Sequence, residues 1–310
     1  MKKDLLSIHH LAREDIELIL ERSAGLKEKH KTGIPYQPLK GKCLGMIFEK
    51  SSTRTRVSFE VGILQLGGHA LFLSSKDLQL GRGESISDTA KVLSRYIDGI
   101  VIRTYKQSDV EELAKVADIP VINGLTDLLH PCQTLADLFT IRERIGSLEG
   151  LKVAYIGDGN NMANSWLHGA AKLGIHLSVA VPKGYGPDAT VASEAMEEAR
   201  RTGARIMITQ DPVEAVAGAR IISTDVWTSM GQEKEHDKRL KVFRKYQVND
   251  ELTRHADPDY LFMHCLPAHR GEEVTDEIID GPHSVVLDEA ENRLHTQKAV
   301  LELLMGEMRR

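Results

Sequence analysis

Leu44-Gly45-Met46-Ile47-Phe48-Glu49-Lys50-Ser51-Ser52-Thr53-Arg54-Thr55-Arg56-Val57-Ser58-Phe59-Glu60 passes from one kind of structure into another. The apolar run Leu44 to Phe48 reads as a strand, and residues 57–66 space their apolar side chains as a helix does. Between them lie two serines, two threonines and two arginines, where the helix would begin. A helix start offers unpaired N–H groups and the positive end of the helix dipole. Hydroxyl donors and the guanidinium forks of Arg54 and Arg56 turn that start into a seat for a phosphate dianion. A capped polar turn with two solvated arginines would use the same residues. The rest of the chain decides between the two.

Working outward, the same strand–helix alternation continues. Residues 15–27 pattern as a helix, 41–48 as a strand, 55–66 as a helix and 69–73 as a short strand. After a polar loop (74–84) come a helix (87–96), a strand (99–103), a helix (108–116) and a strand (120–123). His130-Pro131 opens a long helical segment ending near Gly146, with the length of an interdomain connector. A second series follows, with a strand at 152–156, a helix at 164–173, a strand at 176–181 and a helix at 193–202. Short apolar runs stand at 206–209, 221–224, 260–263 and 284–287, and an amphipathic helix at 296–308. This alternation predicts α/β architecture with parallel sheets. We expect two doubly wound domains, 1–146 and 147–293, with the segment 294–310 packing back on the first. Ligands would gather at the carboxyl ends of the strands, in a cleft between the domains.

The whole chain narrows the chemistry. Its 310 residues suffice for two full cores, and 41% hydrophobic with 27% charged residues is ordinary for a globular protein. A net charge of −5 gives no bulk attraction to nucleic acid or anionic membrane, so a local basic seat must act on a small anion. No apolar stretch approaches the ~20 residues of a membrane helix, and the start lacks a signal-peptide core. Three widely spaced cysteines, Cys43, Cys132 and Cys265, argue for reduced thiols. A soluble cytoplasmic protein is expected.

Gly157-Asp158-Gly159-Asn160-Asn161 follows a strand and opens a helix, so a nicotinamide-binding domain must be weighed. The match to G-x-G-x-x-G is poor. Its third glycine falls at Met162, and Val179-Ala180-Val181 runs into Pro182-Lys183-Gly184 without the acidic residue that would hold a ribose. Asn160 and Asn161 suit carboxamides facing a small polar ligand; the plain alternative is a turn asparagine. His264, Cys265 and His269 raise a metal site, but no second Cys/His cluster has ligand spacing. No metal and no cofactor is expected.

Further clusters stand at predicted strand ends: Arg103-Thr104, His130-Pro131-Cys132-Gln133, Asp225-Val226-Trp227-Thr228-Ser229-Met230-Gly231, His264-Cys265-Leu266-Pro267 and Glu291-Asn292-Arg293. With Ser-Thr-Arg-Thr-Arg in front, the set resembles the aspartate/ornithine carbamoyltransferase family over essentially the whole chain, with the motifs in the family's order. Ser-Thr-Arg-Thr-Arg and His-Pro-x-Gln mark its carbamoyl phosphate half. Asp-x-x-x-Ser-Met-Gly and His-Cys-Leu-Pro mark the ornithine branch, since aspartate-type relatives have His-Pro-Leu-Pro where this chain has Cys265. Those relatives also use a loop lysine, and Lys76 makes that second distinction softer.

The resemblance implies transfer of a carbamoyl group from carbamoyl phosphate to the side-chain amine of L-ornithine, giving L-citrulline and phosphate. It implies that Arg54, Arg103, His130 and Cys265 are catalytic. Ser52, Thr53, Arg54 and Thr55 would hold the phosphate, and Arg103 would bridge phosphate and carbonyl oxygen. His130 would donate to that oxygen, and Gln133 with the Cys265 and Leu266 carbonyls would accept from the carbamoyl NH₂. Arg293 would stand near the carbamoyl group. Gln79 would reach into a neighbouring subunit's site. Asp225 would pair with the α-ammonium of ornithine, while Asn161, Ser229 and the Met230 backbone orient its amino-acid end. Cys265 would position the attacking amine or take its proton, which requires a tuned thiol. The partners implied are these two small molecules, with no nucleic acid and no membrane, and a homotrimer or assembly of trimers. One site serves both directions of arginine metabolism.

Plainer readings exist for each residue. His130 could merely start a helix, Cys265 could be a small buried hydrophobe, and Trp227 and Met230 could be core packing. Polar neighbours and Gly231 favour a mobile loop that closes over the amine substrate. The charged run 233–244 reads as solvated surface. Rival functions are a carbamoyltransferase for an acylated ornithine or putrescine, a non-catalytic scaffold of the same fold, and the oxidoreductase already weighed. Asp225 favours a free α-amino acid, and no phosphate ligand is degenerate.

Overall fold

The computed structural model of the protein describes residues 3–74 and 83–306. The chain divides into two compact units, Met1–Phe139 with Glu291–Arg310, and Thr140–Ala290. The division falls inside the helix Pro131–Ile145, whose span matches the long segment read after His130. The chain returns to the first unit at Glu291, three residues ahead of the crossing expected at 294.

The first unit holds four parallel strands, β1 (Cys43–Phe48), β2 (His69–Ser74), β3 (Gly99–Arg103) and β4 (Val121–Leu125), in the order β2-β1-β3-β4. β3 is buried along its length and β1 along all but its first residue, as strands covered on both faces must be. β2 lies at the edge and is much more exposed. From β1 the chain moves outward to β2 and then returns to β3 on β1's other side. The loops after β1 and β3 therefore diverge at a switch point, where an open α/β sheet leaves a crevice. Phe48 pairs with Arg103 across it.

The second unit holds β5 (Lys152–Ile156), β6 (His176–Ala180), β7 (Arg205–Thr209), β8 (Ile221–Thr224) and β9 (Leu261–His264), ordered β7-β6-β5-β8-β9 and all parallel. Its switch point lies between β5 and β8, whose last residues Ile156 and Thr224 are register partners. The core beneath is built from Ile156, Ile222, Phe262, Tyr246, Val248 and Val274. The helix Asn161–Leu173 begins on an Asn160 cap and ends at Gly174 in the left-handed region (φ 73°), a stop that glycine makes without strain.

Three expectations change. The last helix runs Val286–Met305, ten residues earlier than its predicted start at 296. The run 284–287 is thus a single bridge at Ser284 and then helix, and Glu291-Asn292-Arg293 sits inside that helix instead of at a strand end. Asp288 and Glu289 in its first turn suit the helix dipole.

Candidate active site

In the first unit, Ser52, Thr53, Arg54 and Thr55 stand together at one helix start. The helix Thr53–Gln65 opens on Ser52, whose Oγ accepts from the Thr55 N–H at 3.2 Å, leaving the hydroxyl proton to donate outward. Thr53 is exposed, Arg54 half-buried and Thr55 buried. Arg56 departs from the reading. It pairs with Glu60 at 3.2 Å and stacks 3.8 Å above the Phe72 ring. Other guanidiniums take its place. Arg103 is buried at the end of β3, and Arg293 reaches in from the last helix.

Arg293 explains how this group is ordered. Its Nη1 donates to Gln133 Oε1 at 2.6 Å and its Nη2 to Thr55 Oγ1 at 3.1 Å, so one planar fork aligns two polar side chains. Gln133 in turn donates from Nε2 to Asp137 Oδ1 at 2.8 Å, one helical turn on. Both ends of the Gln133 carboxamide are therefore held, which fixes which way its oxygen points. Asp137 was not singled out in the sequence; the i,i+4 spacing with Gln133 was the available signal.

His130 precedes the helix Pro131–Ile145 and is 5% exposed. Burial holds its imidazole well below the usual histidine range, and the charges of Arg293, Arg103 and Arg54 push it further down. The ring is therefore neutral at physiological pH and offers one N–H. Its neighbour Cys132 is buried, with a thiol pushed up to about 12, and serves as packing.

In the second unit, the loops after β5, β8 and β9 bring Asp225 and Cys265 together. Cys265 Sγ donates to Asp225 Oδ1 at 3.2 Å, and Asn160 Nδ2 donates to Asp225 Oδ2 at 2.7 Å. Asn160 Oδ1 accepts from Met162 N, Ala163 N and the Tyr155 hydroxyl. Its carboxamide thus caps the helix and orients Asp225, whereas the sequence reading had it facing a small polar ligand, with a turn asparagine as the alternative. Asn161 is the first residue of that helix. Gly159 serves close packing: a Cβ there would stand 2.2 Å from the Gly186 carbonyl carbon. Met162 is buried at 3% exposure, and so occupies the position where a dinucleotide fingerprint needs its third glycine.

The Cys265 turn has its own brace. Leu266 holds φ 58°, uncommon for a residue with a side chain. Its N–H donates to His264 Nδ1 at 2.9 Å, which puts that ring's proton on Nε2, 3.1 Å from buried Glu273. Neither histidine nitrogen is left for a metal beside Cys265 and Asp225.

Ser229 and Met230 follow in the loop after β8. Ser229 N donates to Gln232 Oε1 at 3.3 Å, and Met230 is 49% exposed. Trp227 is different: it is 2% exposed and stacks on Phe243 with centroids 5.8 Å apart, so it is core and not part of a swinging loop. Nor is the run 233–244 wholly solvated. Arg239 is buried, pairs with Asp158 at 3.0 Å and donates to the Trp227 carbonyl at 2.8 Å. Burial pushes the Asp158 carboxyl up to about 6 despite that guanidinium. Gln79 and Lys76 lie outside the described residues.

Known proteins resemble this chain along nearly its whole length. The carbamoyl-P binding domain of aspartate/ornithine carbamoyltransferases matches residues 3–143, and the Asp/Orn binding domain of the same family matches residues 149–304. An ornithine carbamoyltransferase of Carboxydothermus hydrogenoformans is 60% identical over 304 residues, covering 98% of each chain. The structure of the Pyrococcus furiosus ornithine carbamoyltransferase superposes with a TM-score of 0.96 at 56% identity, covering 99% of this chain and 98% of that one. An anabolic ornithine carbamoyltransferase of Campylobacter jejuni superposes with a TM-score of 0.92 at 43% identity, over 98% and 99% of the two chains. With both halves of the family matched in order, this chain belongs to the aspartate/ornithine carbamoyltransferase family.

Proposed function

We propose that the protein transfers the carbamoyl group of carbamoyl phosphate to the side-chain amine of L-ornithine, giving L-citrulline and phosphate. One observation carries the donor side: a buried, neutral imidazole set among the charges of three arginines at the end of a parallel sheet. A doubly charged phosphate placed there offsets the guanidinium charge, with Ser52, Thr53, Arg54 and Thr55 around it. Arg103 then spans phosphate and carbonyl, and the His130 N–H meets the carbonyl oxygen as it gains charge. Donors of that kind each contribute about 10²–10³ in rate. Gln133, fixed by Arg293 and Asp137, accepts from the carbamoyl NH₂.

The first unit takes carbamoyl phosphate and the second takes ornithine. Asp225 binds the α-ammonium, with Asn161, Ser229 and the Met230 backbone around the amino-acid end, and Cys265 positions the attacking amine. The thiol and the carboxylate now bond each other, whereas the two amines of ornithine lie at opposite ends of its chain. Asp225 has acceptor sites beyond the one that Cys265 uses, so it can take the α-ammonium while the thiol faces the attacking amine. The amine itself attacks carbon, and departing phosphate collects the proton.

Assembly as a homotrimer, or as several, fits the apolar side chains that the first unit leaves exposed, among them Val57, Leu64 and Tyr96, which are 50%, 63% and 76% exposed. Among the described residues no helix is long and apolar enough to cross a membrane, and all three cysteines are free thiols, which suits the cytoplasm. Purified protein should form citrulline from carbamoyl phosphate and L-ornithine, and far less carbamoyl product from N-acetylornithine, putrescine or L-aspartate. Equal or better turnover of any of those three amines refutes the assignment of ornithine.

A further inference from the structure

Outside the pairs just described, one cluster in the second unit is built like a ligand set. His269 Nδ1 lies 3.6 Å from Glu272 Oε2, and His236 Nε2 lies 3.6 Å from Glu272 Oε1. Ligand atoms of His269, Glu272 and Glu273 all fall within 4.8 Å of one another. Hydrogen bonds between such atoms would draw them to about 2.7–3.2 Å. Two ligands held at about 2.0–2.2 Å by a tetrahedral cation stand about 3.3–3.5 Å apart, close to the spacing seen.

A second observation points the same way. Glu273 is fully buried, and while its Oε1 accepts from His264 Nε2 and the His269 N–H, its Oε2 makes no hydrogen bond among the described residues. Glu272 Oε2 is likewise shielded and without a hydrogen bond among the described residues. A buried carboxylate oxygen left so is destabilising unless something pairs with it. The adjacent guanidinium does not compensate it, because Arg270 is turned onto Asp276 and Asp280 at 2.7 and 2.5 Å.

We propose that His236, His269, Glu272 and Glu273 bind a divalent transition cation of the zinc class, apart from the substrate-binding residues. Two imidazoles and two carboxylates suit such an ion, and the two histidine–Glu272 separations of 3.6 Å are near the spacing of neighbouring ligands in four-coordination. The site links the segment after Gly231 to the segment after Cys265. His236 lies five residues beyond the first and His269 four beyond the second, so a bound ion ties together the two loops that carry Met230 and Cys265. Spacing along the chain does not announce it, because one ligand comes from a separate loop.

The test is binding of Zn²⁺ and of Co²⁺, each alone, to the chelator-treated full-length protein at pH ~7.5. One ion per chain is expected, with the visible absorption of four-coordinate Co²⁺ and no thiolate-to-metal band. His269→Ala and His236→Ala, both at accessible side chains, should each weaken binding at least about 10-fold, the loss that even an outer partner's removal causes. Cys265→Ser should leave affinity unchanged. Absence of stoichiometric binding overturns the proposal. So does binding that survives both histidine substitutions, or a thiolate band that disappears in Cys265→Ser and places the ion beside Asp225.

Discussion

Arg293→Lys separates charge from shape at the donor site. The arginine is 3% exposed and spends its fork on Gln133 and Thr55. Lysine keeps the positive charge but presents a single ammonium on a flexible stem, which cannot meet both acceptors in one plane. At least one charged hydrogen bond is lost, at about 1.5–3 kcal/mol, or about 10–150-fold. If the fork is what aligns Gln133 and Thr55, that loss appears in kcat/KM for carbamoyl phosphate at saturating ornithine. The KM for ornithine should change little, because its proposed contacts lie in the other unit. Because the charge remains, the pH dependence set by His130 should stay near that of the parent. Steady-state kinetics across pH, with urea unfolding as a check on folding, measures all three. An Arg293→Lys enzyme within 2-fold of the parent on carbamoyl phosphate would show that positive charge alone suffices and that the fork plays no part.

Three other outcomes follow from the same geometry. Arg54→Ala should lower turnover by at least about 10²-fold, through loss of anion binding and of charge stabilisation, and near-normal kinetics in that variant would remove it from the site. Asn160→Ala should cost about 0.5–2 kcal/mol as a lost helix cap, read by denaturant unfolding, and should also raise the ornithine KM because Asp225 loses its 2.7 Å partner; an unchanged KM with reduced stability would leave Asn160 as a cap alone. His130 is neutral when folded but protonates near pH 6.5 when unfolded, so its contribution is intact above that pH and is lost as acid is added below it. Asp158, pushed up to about 6, acts in the opposite sense, because its folded form takes up a proton before the unfolded form does. The difference in unfolding free energy between parent and His130→Asn from pH ~7 to ~4 isolates the histidine. A parent that does not lose stability relative to the variant on acidification contradicts the buried neutral ring.

Much of this protein is legible in one dimension because its signals are local. Strand and helix periods place β1, β3 and the helix after Ser52 within a few residues, since parallel strands buried on both faces are written as unbroken apolar runs. Hydroxyls and an arginine at a helix start stand close in sequence, so the reading of an anion seat rests on local spacing. Trp227 and Arg239 show where such reading stops. An indole beside serine, threonine and glycine looks like a loop residue until Phe243 is folded against it. An arginine in a charged run looks solvated until Asp158 is brought within 3.0 Å.

The linear order of residues was thus sufficient for the two α/β units, for the helix start that carries Ser52, Thr53, Arg54 and Thr55, and for the family, because each depends on short stretches whose neighbours are neighbours in sequence. What each guanidinium grips was settled only by folding. Arg56, two residues away, turns to Glu60 and Phe72, whereas Arg293, far along the chain, arrives on a helix to grip Thr55 and Gln133. The same holds for Asn160 behind Asp225 and for His236 beside Glu272. Hydrogen bonds and ligand sets are satisfied by distance in space, and side chains from separate elements compete for each acceptor only after the sheets have brought them together.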